Sequence, residues 1–299
     1  MPRRWMPLAA LLLAASACTT GGATPSSTPA APPVASPSVA SPSVAPSPVT
    51  PSSGAPSSGG PSSPAPIRSV GLARRCGAPD RPSALHRIRS TDGVTLAAAS
   101  IGGGPRGVLL LHQSDGDSCG WWSFAGPWLA DRGYRVLMVD LRCFGESSCP
   151  GDIARIGERL ADIRAAAAWL RRSGARTVAV AGVSMGGTLS VVAGADSAIA
   201  ASAVVDVSGE LTDTVVQAAP PVSARTAVTR LRAPLLYLTA EGDLGVDHAA
   251  DTVLLARAPA GLVTRTVAAG AADHGWALLT EDGRTPSRWA MEVEAFLRA

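Results

Sequence analysis

Gly182-Val183-Ser184-Met185-Gly186-Gly187 is the stretch that decides how this chain folds. Val178-Ala179-Val180-Ala181, an apolar run of strand type, leads into it, and a small-residue run compatible with a helix leads out. A serine Oγ is a poor nucleophile unless it is exposed and close to a base. A sharp strand-to-helix turn provides the exposure, and flanking glycines relieve the crowding. The pattern alone is weak. With 31 Gly in 299 residues, a G-x-S-x-G arises by chance with a probability of about a few tenths. The strand before it and the helix after it carry the weight.

Working outward, Thr91-Asp92-Gly93 marks a hairpin between strands at 85–89 and 94–101. Further strands are expected at 108–112, 135–140, 177–183, 201–207, 234–240 and 262–268. Helices are expected at 124–132, 185–195, 247–257 and 286–298, the last with Pro286 at its start. Ile156, Leu160, Ile163, Ala167 and Leu170 form one face of another helix, closed by Gly174. Strands alternating with helices predict an α/β fold, a mostly parallel sheet with helices on both faces. Residues 208–230 leave room for a minimal cap and no more.

The partners that a serine nucleophile needs follow in chain order, acid and then histidine. Leu235 to Ala240 is an apolar strand running into Glu241-Gly242-Asp243, a turn that ends in a carboxylate. Asp206 and Asp247 are the alternative acids. Ala272-Asp273-His274-Gly275-Trp276 follows the last expected strand, which makes His274 the candidate base among four histidines. His248 opens an expected helix and His86 lies in the first hairpin, so both are read as surface residues. Asp140 and Arg142 are expected to brace the loop after their strand. Trp121, Trp122 and Trp276 are candidates for either an acyl pocket or helix packing.

Three stretches together resemble the α/β-hydrolase family, of the compact serine esterase kind, from about residue 84 to 299. Leu109-Leu110-Leu111-His112-Gln113 is similar to the family's His-Gly loop. Asp140-Leu141-Arg142-Cys143-Phe144-Gly145-Glu146-Ser147 is similar to its D-x-R-G-x-G-x-S segment. Residues 182–187 are similar to its nucleophile elbow. Gln113 and Cys143 stand where the family has Gly. The resemblance implies an α/β-hydrolase fold and a Ser184-His274-Asp243 triad that cleaves carboxylic esters through an acyl-enzyme. It assigns oxyanion N–H groups to Met185 and to the loop at Gln113 or Ser114, with His112 propping that loop. An amidase or peptidase with the same triad, or an inactive surface-binding domain of this fold, are the alternative functions. In this fold the loops bearing Cys119, Cys143 and Cys149 share the carboxyl edge of the sheet. Of the three pairings open to four cysteines, this favours Cys143–Cys149 with Cys76–Cys119.

Residues 1–17 read as a signal peptide, with Arg3-Arg4 before the apolar run of residues 8–17. Ala15-Ser16-Ala17-Cys18 resembles a bacterial lipoprotein signal, which makes Cys18 the lipidated first residue. Residues 18–66 are Ser, Pro, Ala, Gly, Thr and Val without charge or aromatic residue after Cys18, a composition expected to be a disordered spacer. As a flexible coil it reaches about 40 Å. The catalytic domain is then expected at 67–299, exported and held on the outer face of the cytoplasmic membrane. With Arg3 and Arg4 removed, the formal charge of +3 falls close to neutral, which gives no footprint for nucleic acid. No C-x-x-C pair or histidine cluster predicts a metal, and no phosphate cradle predicts a cofactor. The expected substrate is a small ester.

Growth with radiolabelled palmitate should label the wild-type chain and leave Cys18→Ser unlabelled. Label retained by the variant would remove the proposed anchor.

Overall fold

The computed structural model describes residue 76 and residues 84–122, 125–150, 156–212 and 223–299, all within the unit Ser63–Ala299. The expected signal segment at 1–17 and spacer at 18–66 lie outside the described residues. So does 213–222, part of the stretch read as a minimal cap.

Among the described residues, eight strands form one sheet: β1 (Ala84–Arg89), β2 (Thr95–Ile101), β3 (Arg106–Leu111), β4 (Tyr134–Val139), β5 (Thr177–Val183), β6 (Val204–Val207), β7 (Leu235–Ala240) and β8 (Val263–Ala268). Their spatial order is β1-β2-β4-β3-β5-β6-β7-β8. The hairpin β1–β2 and the pair β2–β4 are antiparallel, and every later pair is parallel. The central strands β3, β4, β5 and β7 are apolar along most of their length because helices cover both faces.

The α-helices among the described residues include α1 (Cys119–Trp122), α2 (Ala125–Ala130), α3 (Ile156–Arg172), α4 (Met185–Gly194), α5 (Ala224–Ala227), α6 (His248–Leu255), α7 (Trp276–Leu279) and α8 (Arg288–Arg298). Leu160, Ile163, Ala167 and Leu170 of α3 pack with Leu189 of α4, Ala224 of α5 and Leu254 of α6 on one face of the sheet. On the other face, Trp121, Leu129, Leu278, Leu279, Val293 and Leu297 bring α1, α2, α7 and α8 into a second core. Residues of α4 from Gly186 to Gly194 are all buried, consistent with its small and apolar composition.

Several boundaries differ from the sequence reading. The strand expected at 201–207 begins at Val204, because Ala200 takes a left-handed φ of 47° and turns the chain just before it. The helix expected at 124–132 is present as α2, shortened to Ala125–Ala130, and a further short helix, α1, precedes it at Cys119–Trp122. Pro286 does not open the last helix. It bridges to Thr280, and the Ser287 side chain caps α8 by accepting from the N–H groups of Trp289 and Ala290.

Arg142 and Asp140 brace the loop after β4, as expected. Arg142, 4% exposed, donates through Nε and Nη2 to Asp162, which is fully buried, and also meets Asp92 at 2.8 Å and Glu158 at 3.3 Å. Burial alone would lower the Arg142 pKa, but these carboxylates outweigh it and push it up. Arg142→Met should therefore cost about 3–5 kcal/mol in urea denaturation, since it strands the Asp162 charge in the core. Adding Asp162→Leu should recover much of that loss. A double variant no more stable than Arg142→Met would contradict this account.

Candidate active site

β5 ends at Val183 and α4 begins at Met185, so Ser184 alone makes the turn. It does so at φ 50° and ψ −120°, a conformation that costs a non-glycine residue about 1–3 kcal/mol. The surrounding structure holds it there. Ser184 N–H donates to the Val207 carbonyl at 2.8 Å, and Thr188 N–H donates to the Ser184 carbonyl at 3.0 Å. The glycines of the motif follow from packing. A side chain at Gly182 would overlap the Gly186 carbonyl, and one at Gly186 would overlap the carbonyl of Leu111 at the end of β3.

Asp243 lies in the loop after β7 and His274 in the loop after β8. His274 Nδ1 is 2.9 Å from both carboxylate oxygens of Asp243. The Asp243 side chain is 1% exposed, while that of His274 is 37% exposed. Gly245 N–H also donates to Asp243 Oδ1, at 2.9 Å. With Nδ1–H given to the carboxylate, the imidazole is left with its lone pair on Nε2, the form a general base requires. The histidine loop leans on the elbow: an ideal Cβ on Gly275 would lie 3.8 Å from Cβ of Val183.

The other candidate acids are elsewhere. Asp206 lies within β6, fully buried, and accepts from Gly209 N–H at 2.8 Å. Burial pushes its pKa well up. Asp247 caps α6 by accepting from Ala250 N–H at 3.0 Å. Of the three acids, the structure brings Asp243 to His274.

Met185, the first residue of α4, carries one of the helix N–H groups that has no acceptor within the helix. The loop after β3 holds Gln113, half-buried, and Ser114, exposed. His112 props this loop from below. Its Nδ1–H donates to the Gln113 carbonyl at 2.8 Å, and its Nε2 accepts from Leu141 N–H at 3.1 Å. Asp140 ties the same loop to the one after β4, accepting from Ser118 N–H and Glu146 N–H, each at 2.9 Å. Both disulfides border this region, Cys76–Cys119 and Cys143–Cys149. Trp276 is half-buried. Its ring lies over Gly116 and Gly120 and meets Trp121 edge-on at 6.1 Å. The Trp122 side chain lies outside the described residues.

Two histidines read as surface residues are more enclosed than expected. His86 bonds Ser100 Oγ at 2.8 Å and its ring lies 4.2 Å from that of Trp169. Both ring nitrogens of His248 are buried. Sequence reasoning missed a buried polar group, in which Tyr237 Oη donates to Asp251 and also contacts the Gly209 carbonyl at 3.2 Å. It also missed the side-chain contacts of Gln113. Gln where the resemblance has Gly was the available signal. Among the described residues, no group of three or more His, Cys, Asp or Glu is arranged to hold a metal ion.

Residues 107–225 match the family described as alpha/beta hydrolase fold. An esterase of Pyrococcus furiosus superposes with a TM-score of 0.60 at 18% identity, covering 76% of this chain and 94% of that one. An esterase of Exiguobacterium antarcticum superposes with a TM-score of 0.57 at 13% identity, covering 71% and 99%. Bifunctional epoxide hydrolase 2 of Sus scrofa is 40% identical over 74 residues, which are 24% of this chain and 13% of that protein, so the match spans a small part of the relative's length. The chain has the α/β-hydrolase fold, with an eight-stranded, mostly parallel sheet.

The environment of His112 makes a testable demand. Burial lowers its pKa, and the opposing pull of the Gln113 carbonyl and Asp140 does not overcome this. Protonating Nε2 would also set it against the Leu141 N–H. Long-range ¹H–¹⁵N spectra should show the Nδ1–H tautomer, with no titration near the ordinary value of about 6.5. The neutral form is favoured in the fold, so this contribution is present above about pH 6.5 and is lost progressively below it. An ordinary titration of His112 would refute the assignment.

Proposed function

We propose that this chain is a serine hydrolase that cleaves small carboxylic esters through an acyl-enzyme, with Ser184 as nucleophile, His274 as general base and acid, and Asp243 as the acid of the triad. The observation that carries this reading is the pairing of His274 Nδ1 with both oxygens of a buried Asp243, 2.9 Å each, in a chain that also holds a serine at φ 50° on a strand-to-helix elbow. The fold and the esterases that share it support the same reading.

The roles follow from acyl-transfer chemistry. Ser184 Oγ attacks the ester carbonyl as His274 Nε2 takes its proton. The imidazolium then gives that proton to the departing alcohol, leaving the acyl group on Ser184. Water, deprotonated by the same nitrogen, attacks the acyl-enzyme, and the imidazolium returns that proton to Ser184 Oγ as the acid departs. Asp243 holds the Nδ1–H tautomer and stabilises the imidazolium. The Met185 N–H and an N–H of the loop at Gln113 or Ser114 receive the oxyanion, each worth about 3 kcal/mol of barrier.

Cys18 anchors the protein on the outer face of the cytoplasmic membrane in this reading, with residues 18–66 as the spacer and the catalytic domain from residue 67. Two disulfides support an oxidising compartment.

A fluorophosphonate probe should label wild type at Ser184 and leave Ser184→Ala unlabelled, with hydrolysis of a p-nitrophenyl ester abolished and melting temperature little changed. Asp243→Asn should cut kcat by on the order of 10³–10⁴-fold, because the wrong imidazole tautomer is then favoured. Asp206→Asn and Asp247→Asn should each stay within about tenfold of wild type, since neither touches His274. Substantial turnover by Ser184→Ala, or an Asp206→Asn loss matching that of Asp243→Asn, would overturn the assignment.

A further inference from the structure

The carboxamide of Gln113 spans two loops that come from opposite ends of the catalytic sequence. Its Oε1 accepts from Trp276 N–H at 3.4 Å, two residues after His274. The same oxygen fills the space a side chain on Gly275 would need, 2.5 Å from an ideal Cβ there. Its Nε2 donates to Asp115 Oδ1 at 2.6 Å. The Gln113 backbone is fixed as well, its carbonyl accepting from His112 Nδ1–H at 2.8 Å and from Gly116 N–H at 3.4 Å. One residue therefore grips its own loop through Asp115, His112 and Gly116, and grips the histidine loop through the backbone just beyond His274.

We infer that the Gln113 side chain is a positioning residue for His274, locking the base and the oxyanion loop into one arrangement. This rests on the triad proposed above. Ser184 is fixed by β5 and α4, whereas His274 sits in a loop and is 37% exposed on its side chain. Asp243 orients the imidazole about one bond but does not restrain the backbone that carries it. The His274 and Gly275 carbonyls accept from Ala277 and Leu278 N–H, each at 3.2 Å, bonds within the histidine loop's own segment, and the carboxamide adds the tie from Gly275 and Trp276 to the loop after β3. Because the same residue belongs to the oxyanion loop, a shift of one loop moves the other, so the proton acceptor and the oxyanion donors keep their spacing. A glycine at position 113 would leave the histidine loop without this strut.

Gln113→Met keeps the volume and removes both side-chain hydrogen bonds. It should lower kcat by about 10- to 100-fold, the size of effect expected when a reacting group is displaced by about 1 Å. KM should stay within about twofold. The acidic limb of the kcat/KM profile, which reports the free enzyme's base, should move to lower pH, because an imidazolium held less well by Asp243 gives up its proton more readily. Gln113→Glu alone places two carboxylates together and should show a similar loss. Combining it with Asp115→Asn exchanges donor and acceptor at unchanged charge while keeping an acceptor for Trp276 N–H. That double variant should return kcat to within about threefold of wild type. A lowered melting temperature with kcat and the acidic limb unchanged in Gln113→Met would overturn the inference, as would failure of the double variant to recover. Fluorophosphonate labelling of wild type separates the two levels. Without it the triad and this inference fall together; with it, an unaffected Gln113→Met sinks this inference alone.

Discussion

Backbone must touch backbone where α4 begins. A side chain at Gly186 would overlap the Leu111 carbonyl and crowd that of His112, and one at Gly182 would overlap the Gly186 carbonyl. Bare backbone at these positions seats the start of α4 directly on the carboxyl ends of β3 and β5. From that close approach the rest of the site follows. Ser184 has one residue in which to reverse from strand to helix, which forces its positive φ. The free N–H groups of the first helical turn face the edge where the loops after β3, β7 and β8 converge, a setting suited to a developing negative charge. The strain at Ser184 is carried by ladder bonds on both sides, to Val207 on β6 and from Thr188 on α4.

The loops around that edge are held by side chains that themselves take no part in the proposed chemistry. Asp140 accepts backbone N–H groups from both neighbouring loops at 2.9 Å, so one buried carboxylate sets their separation. Cys143 takes a left-handed φ of 66° and bonds to Cys149, closing a short loop around Phe144. The Phe144 ring meets His112 edge-on at 4.8 Å, and His112 holds the Gln113 carbonyl. A continuous set of contacts thus runs from the disulfide to the loop after β3. Cys76–Cys119 pins α1 on the far side of the same loop.

What the sequence made legible is what local pattern and chain order encode. The long apolar strands β3, β5 and β7 announce themselves because strands covered on both faces have no polar alternation to confuse the reading. The elbow, the acid after β7 and the histidine after β8 follow from chain order. The misplacements were at ends. β6 starts late because Ala200 takes a positive φ that an alanine does not advertise, and α8 starts after Pro286 because Ser287 caps more effectively than proline begins. The reach of Gln113 was not legible, since its partner Trp276 is 163 residues away and only the folded sheet brings them together. The enclosure of His86 by Ser100 and Trp169 is hidden for the same reason.

Asp206 shows how position within this fold divides two carboxylates between structure and the proposed catalysis. It stands one strand away from Asp243, yet its side chain faces α4, where a Cβ on Gly187 would overlap its Oδ1. Gly209 N–H binds it from above, and Tyr237 and Asp251 complete a buried polar group that joins β6, β7 and α6. Burial pushes both Asp206 and Asp251 toward the protonated form. Asp243, at the mouth of the next loop with its carboxylate turned to His274, keeps the geometry that an imidazolium requires. The two carboxylates take different partners because Asp206 lies within β6, facing the core, and Asp243 lies in the loop beyond the end of β7.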